Sequence, residues 1–369
     1  MKSFLRCICG VFILLISCNG SESIDNEDVS TIEWDSLSDK EVSYCDEVKV
    51  VCLSDVFLGD VLKVIFDDSL IFVHDSHDRV LKFNSNGQFL STIGRKGHSN
   101  KEYVQMVDFY IDKQNKHVGI VDISKGIISY DYDGNYVSSN RLFPETDCKP
   151  NILKIDYISK NQLLCQNYIW KDYPNSFSIV TLDDQKFYDF VPNIVSSDPA
   201  MEHENYISEC DEGLFFGSFF SDTIYTVSDN IVKPAYVFNG PMKHACAGDF
   251  NALSSTNVVD YMSYAWKHGI SVGINRMFMT NNLIYFNYEI SIDECYRIIY
   301  DKNNCHGYKW KTNDFSVWDC LIAIKDDYFV GLTTKIDFVD IANEFNYDVK
   351  QLNDIDDDTQ ILFFFRPKL

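Results

Sequence analysis

The chain has 369 residues, of which 46% are hydrophobic, 24% charged and 15% aromatic, so it can bury a large core in one or two domains. Its formal net charge of -23 disfavours nucleic acid as a partner, because binding a phosphate backbone needs clustered Lys and Arg. The 12 cysteines include no Cys-x-x-Cys pair, so neither a zinc ribbon nor a redox dithiol is expected. We predict that most thiols serve as small buried apolar residues.

The first 17 residues have the pattern of an export signal. Lys2 and Arg6 supply positive charge, and the apolar stretch from Ile8 to Ile16 is too short to span a bilayer as a mature helix. It ends in Leu-Ile-Ser-Cys18, which resembles a bacterial lipobox, in which the cysteine is diacylated and becomes the first mature residue. The sequence therefore predicts a signal peptide over 1–17 and lipidation at Cys18, with a plain secretory signal as the alternative.

Residues 18–30 are polar and acidic, which predicts a flexible tether between the anchor and the fold. Asn19 stands where an Asp is the usual inner-membrane retention signal of enteric bacteria. The predicted location is therefore the cell envelope, as an outer-membrane lipoprotein that is either periplasmic or surface-exposed.

A repeat follows the tether. The segment from Val61 to Ile93 contains short alternating apolar runs separated by turns, and the segment from Met106 to Asn140 repeats it with an offset of 47 residues. A repeat of about 40 to 50 residues built from strands is typical of a propeller blade. The matching pairs are Asp75 and Asp122, Phe83 and Tyr130, Gly87 and Gly134, and Phe89 and Tyr136.

The rest of the chain keeps this rhythm in a degenerate form. Further units are predicted over about 152–191, 206–238, 274–310 and 320–369. The last of these, the sixth unit, is predicted to contain strands only, one of them at Asp337–Asp340. The runs Thr31–Trp34 and Glu47–Leu53 precede the first full repeat, which is where a propeller keeps the strand that closes its ring. Between Phe250 and His268 the apolar spacing is helical, which predicts one inserted helix.

These units predict an all-β fold: a six-bladed β-propeller over residues 31–369, with one helical insertion at about 250–270. Seven blades or a partly open ring are the alternatives, since the estimate divides the chain by a repeat of about 47 residues.

The combination is similar to the six-bladed β-propeller lipoproteins of Gram-negative gut anaerobes, which are distant relatives of NHL-repeat proteins. The resemblance rests on the lipobox, the blade pattern from Asp75 to Phe89, and the connector Gly94-Arg95…Gly97…Glu102-Tyr103. In that connector, Ser99-Asn100-Lys101 replaces the Gly-Pro-Gly of the family's link. The resemblance implies fold and compartment, and it implies no reaction.

Two local motifs contain metal-ligating residue types. His74-Asp75-Ser76-His77-Asp78 has two imidazoles and two carboxylates, but it lies at a predicted turn and Asp75 recurs as Asp122, which favours a scaffold role. Asp131-Tyr132-Asp133-Gly134 begins like a calcium loop, yet its twelfth position is Leu142, so a hairpin turn explains it. No metal and no cofactor is therefore predicted.

The connector after the first repeat is the predicted binding surface. Arg95 and Lys96 belong to the one basic cluster of an acidic chain, and we predict that they bind a partner together with His98, Glu102 and Tyr103. Salt bridging between blades is the alternative. Trp170, Tyr173 and Trp266 are candidates for stacking on sugar rings or for packing.

No catalytic motif nominates a nucleophile or a phosphate site. The favoured function is therefore a lipid-anchored propeller that binds an unknown protein or carbohydrate ligand, with a link to glycan uptake by analogy and membrane contact through the anchor only. The alternative is a metal-dependent hydrolase or lyase with ligands on the ring axis. Such a site leaves no local motif, and the polar residues near predicted blade boundaries are Glu102, His203, Glu204, Asp211 and His244.

Overall fold

The computed structural model describes residues 29–44, 48–141, 152–159, 161–198, 207–228, 231–253, 257–312 and 315–369. The predicted signal peptide, Cys18 and nearly all of the predicted tether lie outside these residues, as do His203 and Glu204.

The first three blades are four-stranded antiparallel sheets in which sequential strands pair with their neighbours. Blade 1 contains Val61–Asp67, Leu70–Asp75, Arg79–Asn84 and Phe89–Ile93. Blade 2 contains Met106–Asp112, His117–Asp122, Gly126–Asp131 and Tyr136–Asn140. Blade 3 contains Ile152–Ser159, Gln162–Asn167, Asn175–Thr181 and Lys186–Pro192.

The last three blades each include a strand from the N-terminal segment. Blade 4 contains Ile207–Cys210, Gly213–Gly217, Thr223–Ser228 and Ile231–Asn239, with Ser30–Glu33 added in parallel at its outer edge. Blade 5 contains Ile274–Met279, Leu283–Ser291, Glu294–Asp301 and His306–Lys311, with Ser38–Asp39 added in parallel. Blade 6 contains Leu321–Lys325, Tyr328–Thr334, Gln360–Phe365 and, as its outermost strand, Lys49–Cys52.

The prediction of a six-bladed propeller closed by an N-terminal strand is therefore confirmed. Lys49–Cys52 pairs antiparallel with the last long strand, matching Cys52 with Ile361 and Val51 with Leu362. A short pair, Ser43–Tyr44 with Pro367–Lys368, lies next to this closure. A strand from the N-terminal segment and the last long strand of the chain thus belong to the same blade.

The core lies between the blades. Each pair of neighbouring sheets buries its own apolar cluster, as flat sheets do when their faces pack together. The cluster between blades 6 and 1 joins Val330 and Leu362 to Val73 and Leu81, so apolar burial as well as strand pairing closes the ring. The described cysteines form no disulfide. Only Cys165 and Cys320 are fully buried and Cys305 is exposed, so the prediction that most thiols are buried is not confirmed; the half-buried ones are Cys52, Cys210, Cys246 and Cys295.

The predicted helix is confirmed and spans Val258–Lys267. The Asn257 side chain caps it by accepting the Val259 N–H at 2.9 Å, and Val258, Tyr261 and Ala265 form its buried stripe. Its buried face packs on loops of blades 3 and 4.

A second helix, Lys335–Ile341, was not predicted, and the strand interpretation of Asp337–Asp340 is wrong. Phe338, Ile341, Ala342 and Phe345 are buried at helical spacing, and this periodicity outweighs the strand rhythm of the repeat. Short 3-10 helices span Trp34–Ser36, Ala247–Phe250, Val317–Cys320, Ala342–Phe345 and Val349–Leu352.

The two faces of the ring differ. On one, here called the turn face, consecutive strands of a blade are joined by two to four residues, for example 68–69 and 302–305. The opposite face, here called the loop face, has the long connections: 94–105, 193–206, 240–273 and 335–359. Both helices therefore lie on the loop face, where propeller insertions do not disturb the sheets.

Candidate functional site

Exposed apolar side chains are concentrated on the loop face. The turns of the turn face contain no exposed large apolar side chain among the described residues. Those on the loop face are Phe57, Leu62, Ile123, Val259, Ile292, Phe315, Ile336 and Val339. The remainder are Leu90, Val137, Tyr188 and Ile231 on outer strands, and Leu369.

The ring axis contains a cavity of about 1030 Å³. The first strand of each blade, here called its inner strand, contributes to the wall, so all six blades take part. Leu62 and Ile123 line it and are 53% and 56% exposed, which places both at an opening to solvent. The volume is at the upper end of the range usual for small-molecule sites.

A charged network crosses the wall of this axial cavity. The Lys63 ammonium on blade 1 lies 2.9 Å from Asp108 Oδ2 on blade 2 and 3.5 Å from Asp156 Oδ1 on blade 3. It also donates hydrogen bonds to the carbonyl oxygens of Phe109 at 3.0 Å and Ile155 at 2.5 Å. Burial lowers the pKa of Lys63, but the two carboxylates outweigh it and raise that pKa, so Lys63 remains protonated.

His74 lies beside this network. Its side chain is 5% exposed, and its Nδ1 is 4.0 Å from Asp108 Oδ1. Burial lowers the pKa of His74 despite the neighbouring carboxylate, so the imidazole is neutral at physiological pH. Its Nε2 is fully buried and has no hydrogen-bond partner among the described residues.

Asp156 is the carboxylate of the network that faces the cavity most openly, with 24% of its side chain exposed. Burial raises the pKa of Asp156 to about 6; Lys63 opposes the shift, and Asp108 and Glu209 add to it. Asp108, by contrast, accepts both the Lys63 ammonium and the Ile155 N–H at 2.8 Å. The charge on Asp156 is therefore the less well compensated of the two.

The wall formed by blades 5 and 6 is largely apolar. Phe278, Ile322, Ala323 and Ile324 line the cavity there, next to the paired Lys325 and Asp326, while the charged network occupies the side formed by blades 1 to 3. The cavity is thus amphipathic, with polar groups that orient a ligand on one side and apolar area on the other.

The predicted connector residues lie on the loop face, and the structure brings them together in one loop outside the cavity wall. Arg95 Nε is 3.3 Å from Glu102 Oε1, and Lys96 Nζ is 2.5 Å from Asp78 Oδ2. Tyr103 is buried and donates its hydroxyl hydrogen bond to the carbonyl oxygen of Asp78 at 2.9 Å. Of the five, Arg95, Lys96 and His98 are exposed. A binding role for this loop stays a prediction.

Asp75 and Asp122 confirm the scaffold interpretation. Each is fully buried and accepts two backbone N–H groups of the turn that follows it. Each also accepts an N–H from the segment that enters its blade, Gly59 at 3.3 Å for Asp75 and Val104 at 2.6 Å for Asp122. Burial raises the pKa of both carboxyls, but these bonds, with Arg79 in blade 1, outweigh it and lower the pKa.

Residues 30 to 362 match a family model described as a domain of unknown function, DUF4934. The chain belongs to the DUF4934 family. A solved structure from Bacteroides fragilis NCTC 9343, of a protein expected to be exported, is similar with a TM-score of 0.69 and 20% identity, covering 92% of this chain and 100% of that one. A DUF4221 member from Bacteroides vulgatus ATCC 8482 is similar with a TM-score of 0.53 and 12% identity, covering 89% and 99%. No curated protein sequence matches significantly.

These identities establish the propeller fold alone. In the described part of the DUF4934 chain, no helix is long and apolar enough to cross a membrane. Within the same residues, no group of three or more His, Cys, Asp or Glu side chains is arranged to hold a metal ion. Nothing in this geometry supports the alternative of a metal-dependent hydrolase or lyase.

Sequence reasoning missed the axial network, although a signal was present. Lys63 and Asp108 are both the third residue of an apolar inner strand, and Glu209 holds the same position in blade 4. A polar residue recurring at one position of otherwise apolar inner strands points toward the ring axis. The sequence search weighed residues near turns and blade boundaries and did not compare strand interiors.

The aromatic candidates for sugar stacking are mostly engaged in packing. Tyr173 is buried, and its hydroxyl hydrogen-bonds Ser178 at 3.1 Å and Asp189. Trp266 packs with the apolar cluster beneath the first helix, and Trp170 is half-buried. The DUF4934 propeller therefore does not present these three rings as an open stacking platform.

Proposed function

We propose that this DUF4934 protein is a lipid-anchored binding module of the cell envelope that holds a small ligand in its axial cavity. The observation that carries the proposal is the cavity itself, which combines a solvent opening, a largely apolar wall on one side and a charged network that leaves Asp156 24% exposed on the other. A wall of this composition resembles a recognition site more than a packed core.

The lipobox at Cys18 and the acidic segment after it support a location at the envelope. The similarity to a Bacteroides fragilis protein expected to be exported supports it as well. The resemblance to lipoproteins of gut anaerobes favours a ligand connected with glycan uptake, and the loop face is the surface that a protein partner would meet.

The binding proposal is tested by native mass spectrometry of the full-length protein incubated with a small-molecule extract of the culture medium and envelope. Leu62→Trp places bulk at the cavity opening, where the side chain is 53% exposed. Leu90→Trp is the matched control, because Leu90 is 48% exposed on the outer strand of blade 1.

We expect a bound mass on the wild type and on Leu90→Trp, and its loss from Leu62→Trp. Equal retention by all three proteins would move the site out of the cavity. No bound mass on any of them, together with no signal on a glycan array or in a pull-down, would contradict the binding module.

A further inference from the structure

The hydrogen-bond donors of the axial cavity are already engaged. The Lys63 ammonium has three N–H groups, and Asp108, Phe109 and Ile155 accept them. Lys113 and Lys325 are paired with Glu209 at 2.7 Å and with Asp326 at 3.6 Å, respectively. Lys154, the fourth ammonium of the lining, also has an interaction partner. An anionic ligand would have to displace an existing partner from one of them.

Asp156, in contrast, keeps acceptor capacity toward the cavity. Its side chain is 24% exposed, and the Lys63 ammonium 3.5 Å away is already shared with three closer oxygens. Acceptors without donors attract a ligand that donates.

The cavity lining also carries a net negative charge. It contains five carboxylates, Asp108, Asp156, Glu209, Asp211 and Asp326, against four lysines, and His74 is neutral. One carboxylate is therefore in excess, and Asp156 and Glu209 interact unfavourably across the cavity wall. A ligand cation placed beside Asp156 relieves this repulsion in a partly desolvated site.

From this combination we infer that the axial cavity binds an organic ammonium ion, with its charged head beside Asp156 and its apolar body against the apolar residues of blades 5 and 6. The inference rests on the proposed binding function. The head donates to the Asp156 carboxylate, and Ile322, Ala323 and Ile324 cover the body. An ammonium ion fits this site better than a metal ion, because the described side chains do not converge as metal ligands.

The test uses three probes of one length, n-hexylammonium, n-hexanol and n-hexanoate, measured by calorimetry on the full-length protein in detergent. Asp156→Asn removes the carboxylate from the cavity. Asp183→Asn removes the same charge from an exposed turn on the turn face of the same blade, and it is the matched control. Thermal unfolding of both variants establishes that they fold.

We expect n-hexylammonium to bind the wild type at least tenfold more tightly than the other two probes. Asp156→Asn should weaken it about tenfold, as expected for a lost charge pair in a partly desolvated site, while Asp183→Asn leaves it unchanged. Binding to the wild type should also weaken about tenfold between pH 7.5 and pH 5, because the proton on Asp156 competes with the ligand.

Equal or tighter binding of n-hexanol or n-hexanoate would overturn the ammonium assignment and leave the binding module intact. Binding of none of the three probes also overturns the assignment, and the extract experiment with Leu62→Trp then decides the broader proposal separately. Unchanged n-hexylammonium affinity in Asp156→Asn would show that the head lies elsewhere.

Discussion

Lys63 on blade 1 extends past blade 2 and donates a hydrogen bond to the carbonyl oxygen of Ile155 on blade 3, at 2.5 Å. Together with its ion pair to Asp108, this contact fastens three inner strands to one another at the ring axis. This polar contact adds to the apolar clusters that join blade 1 to blade 2 and blade 2 to blade 3.

Lys63→Met should destabilise the protein strongly. The Lys63 side chain is 18% exposed, and its loss leaves Asp108 buried without a cation, which costs about 3 kcal/mol of unfolding free energy. Lys113→Met is the control, since Lys113 is 43% exposed in its pair with Glu209, and we expect a loss of about 0–1 kcal/mol. Urea unfolding at neutral pH measures both. Equal losses in the two variants would refute a structural role for the axial network.

The stability of the protein should respond to pH through Asp156. The folded carboxyl has a pKa of about 6 against 3.8 in the unfolded chain, so the folded state holds a proton that the unfolded state releases between these values. The free energy of unfolding therefore falls as the pH rises from about 4 to about 6. Asp156→Asn removes this dependence and should be about 1–2 kcal/mol more stable than the wild type at pH 7, with the gap closing toward pH 4. A variant less stable than the wild type at pH 7 would contradict the raised pKa.

His244 should give a dependence at higher pH. Its Nδ1 is 2.7 Å from Asp222 Oδ2, and the hydrogen bond to that buried carboxylate raises the pKa of His244 above 6.5. The stabilisation is complete below pH 6.5 and is lost as the pH rises through the folded pKa. Because His244 is half exposed, we expect His244→Gln to remove less than about 1 kcal/mol, measurable below pH 6.5 and lost once the pH passes the raised folded pKa. His98→Gln, the loss of an imidazole at an exposed loop position, is the control.

Gly87 and Gly134 occupy equivalent turns, yet substitution should affect them differently. Both have positive φ, 82° and 81°, so alanine is strained at each. A Cβ at Gly87 would also lie 2.0 Å from the carbonyl oxygen of Cys52 on the closing strand, whereas at Gly134 its nearest atom is the Thr92 carbonyl oxygen at 3.1 Å. Gly134→Ala should cost about 1 kcal/mol and Gly87→Ala about 2–3 kcal/mol. Similar melting temperatures for the two variants would mean that the closing strand yields readily.

Cys18→Ala tests the predicted anchor. If Cys18 is lipidated, the variant should move from the membrane fraction to the soluble fraction, because one or two acyl chains supply the membrane affinity. Partition of wild type and variant between detergent and aqueous phases measures this, and a variant that remains with the detergent phase places the anchor elsewhere.

The repeat pattern was sufficient to predict the ring, because strand alternation and the Asn86-Gly87 turn are local signals that recur. It also predicted the closing strand Lys49–Cys52, since a propeller needs one. It did not predict the helix Lys335–Ile341. The apolar residues there are spaced as in a helix, but the repeat predicted a strand at this position.

The candidate site was less accessible to sequence reasoning. Lys63, Asp108 and Asp156 come from three different blades, and their separations along the chain contain no motif. Their proximity follows from ring closure, which is a property of the whole fold. In the sequence, His74 belongs to a cluster with metal-ligating residue types. The structure shows that Asp75 of that cluster pairs with Arg79, whereas His74 belongs to the lining of the axial cavity.

The route of the N-terminal segment has a consequence for biosynthesis. Residues that leave the ribosome first, Ser30–Glu33, Ser38–Asp39 and Lys49–Cys52, complete blades 4, 5 and 6, which are made last. The strand that contains Cys52 has no partner until Ile361 has been synthesised. Pairing over so long a sequence separation forms slowly. During synthesis these strands are unpaired edges, which are prone to mispairing with other chains.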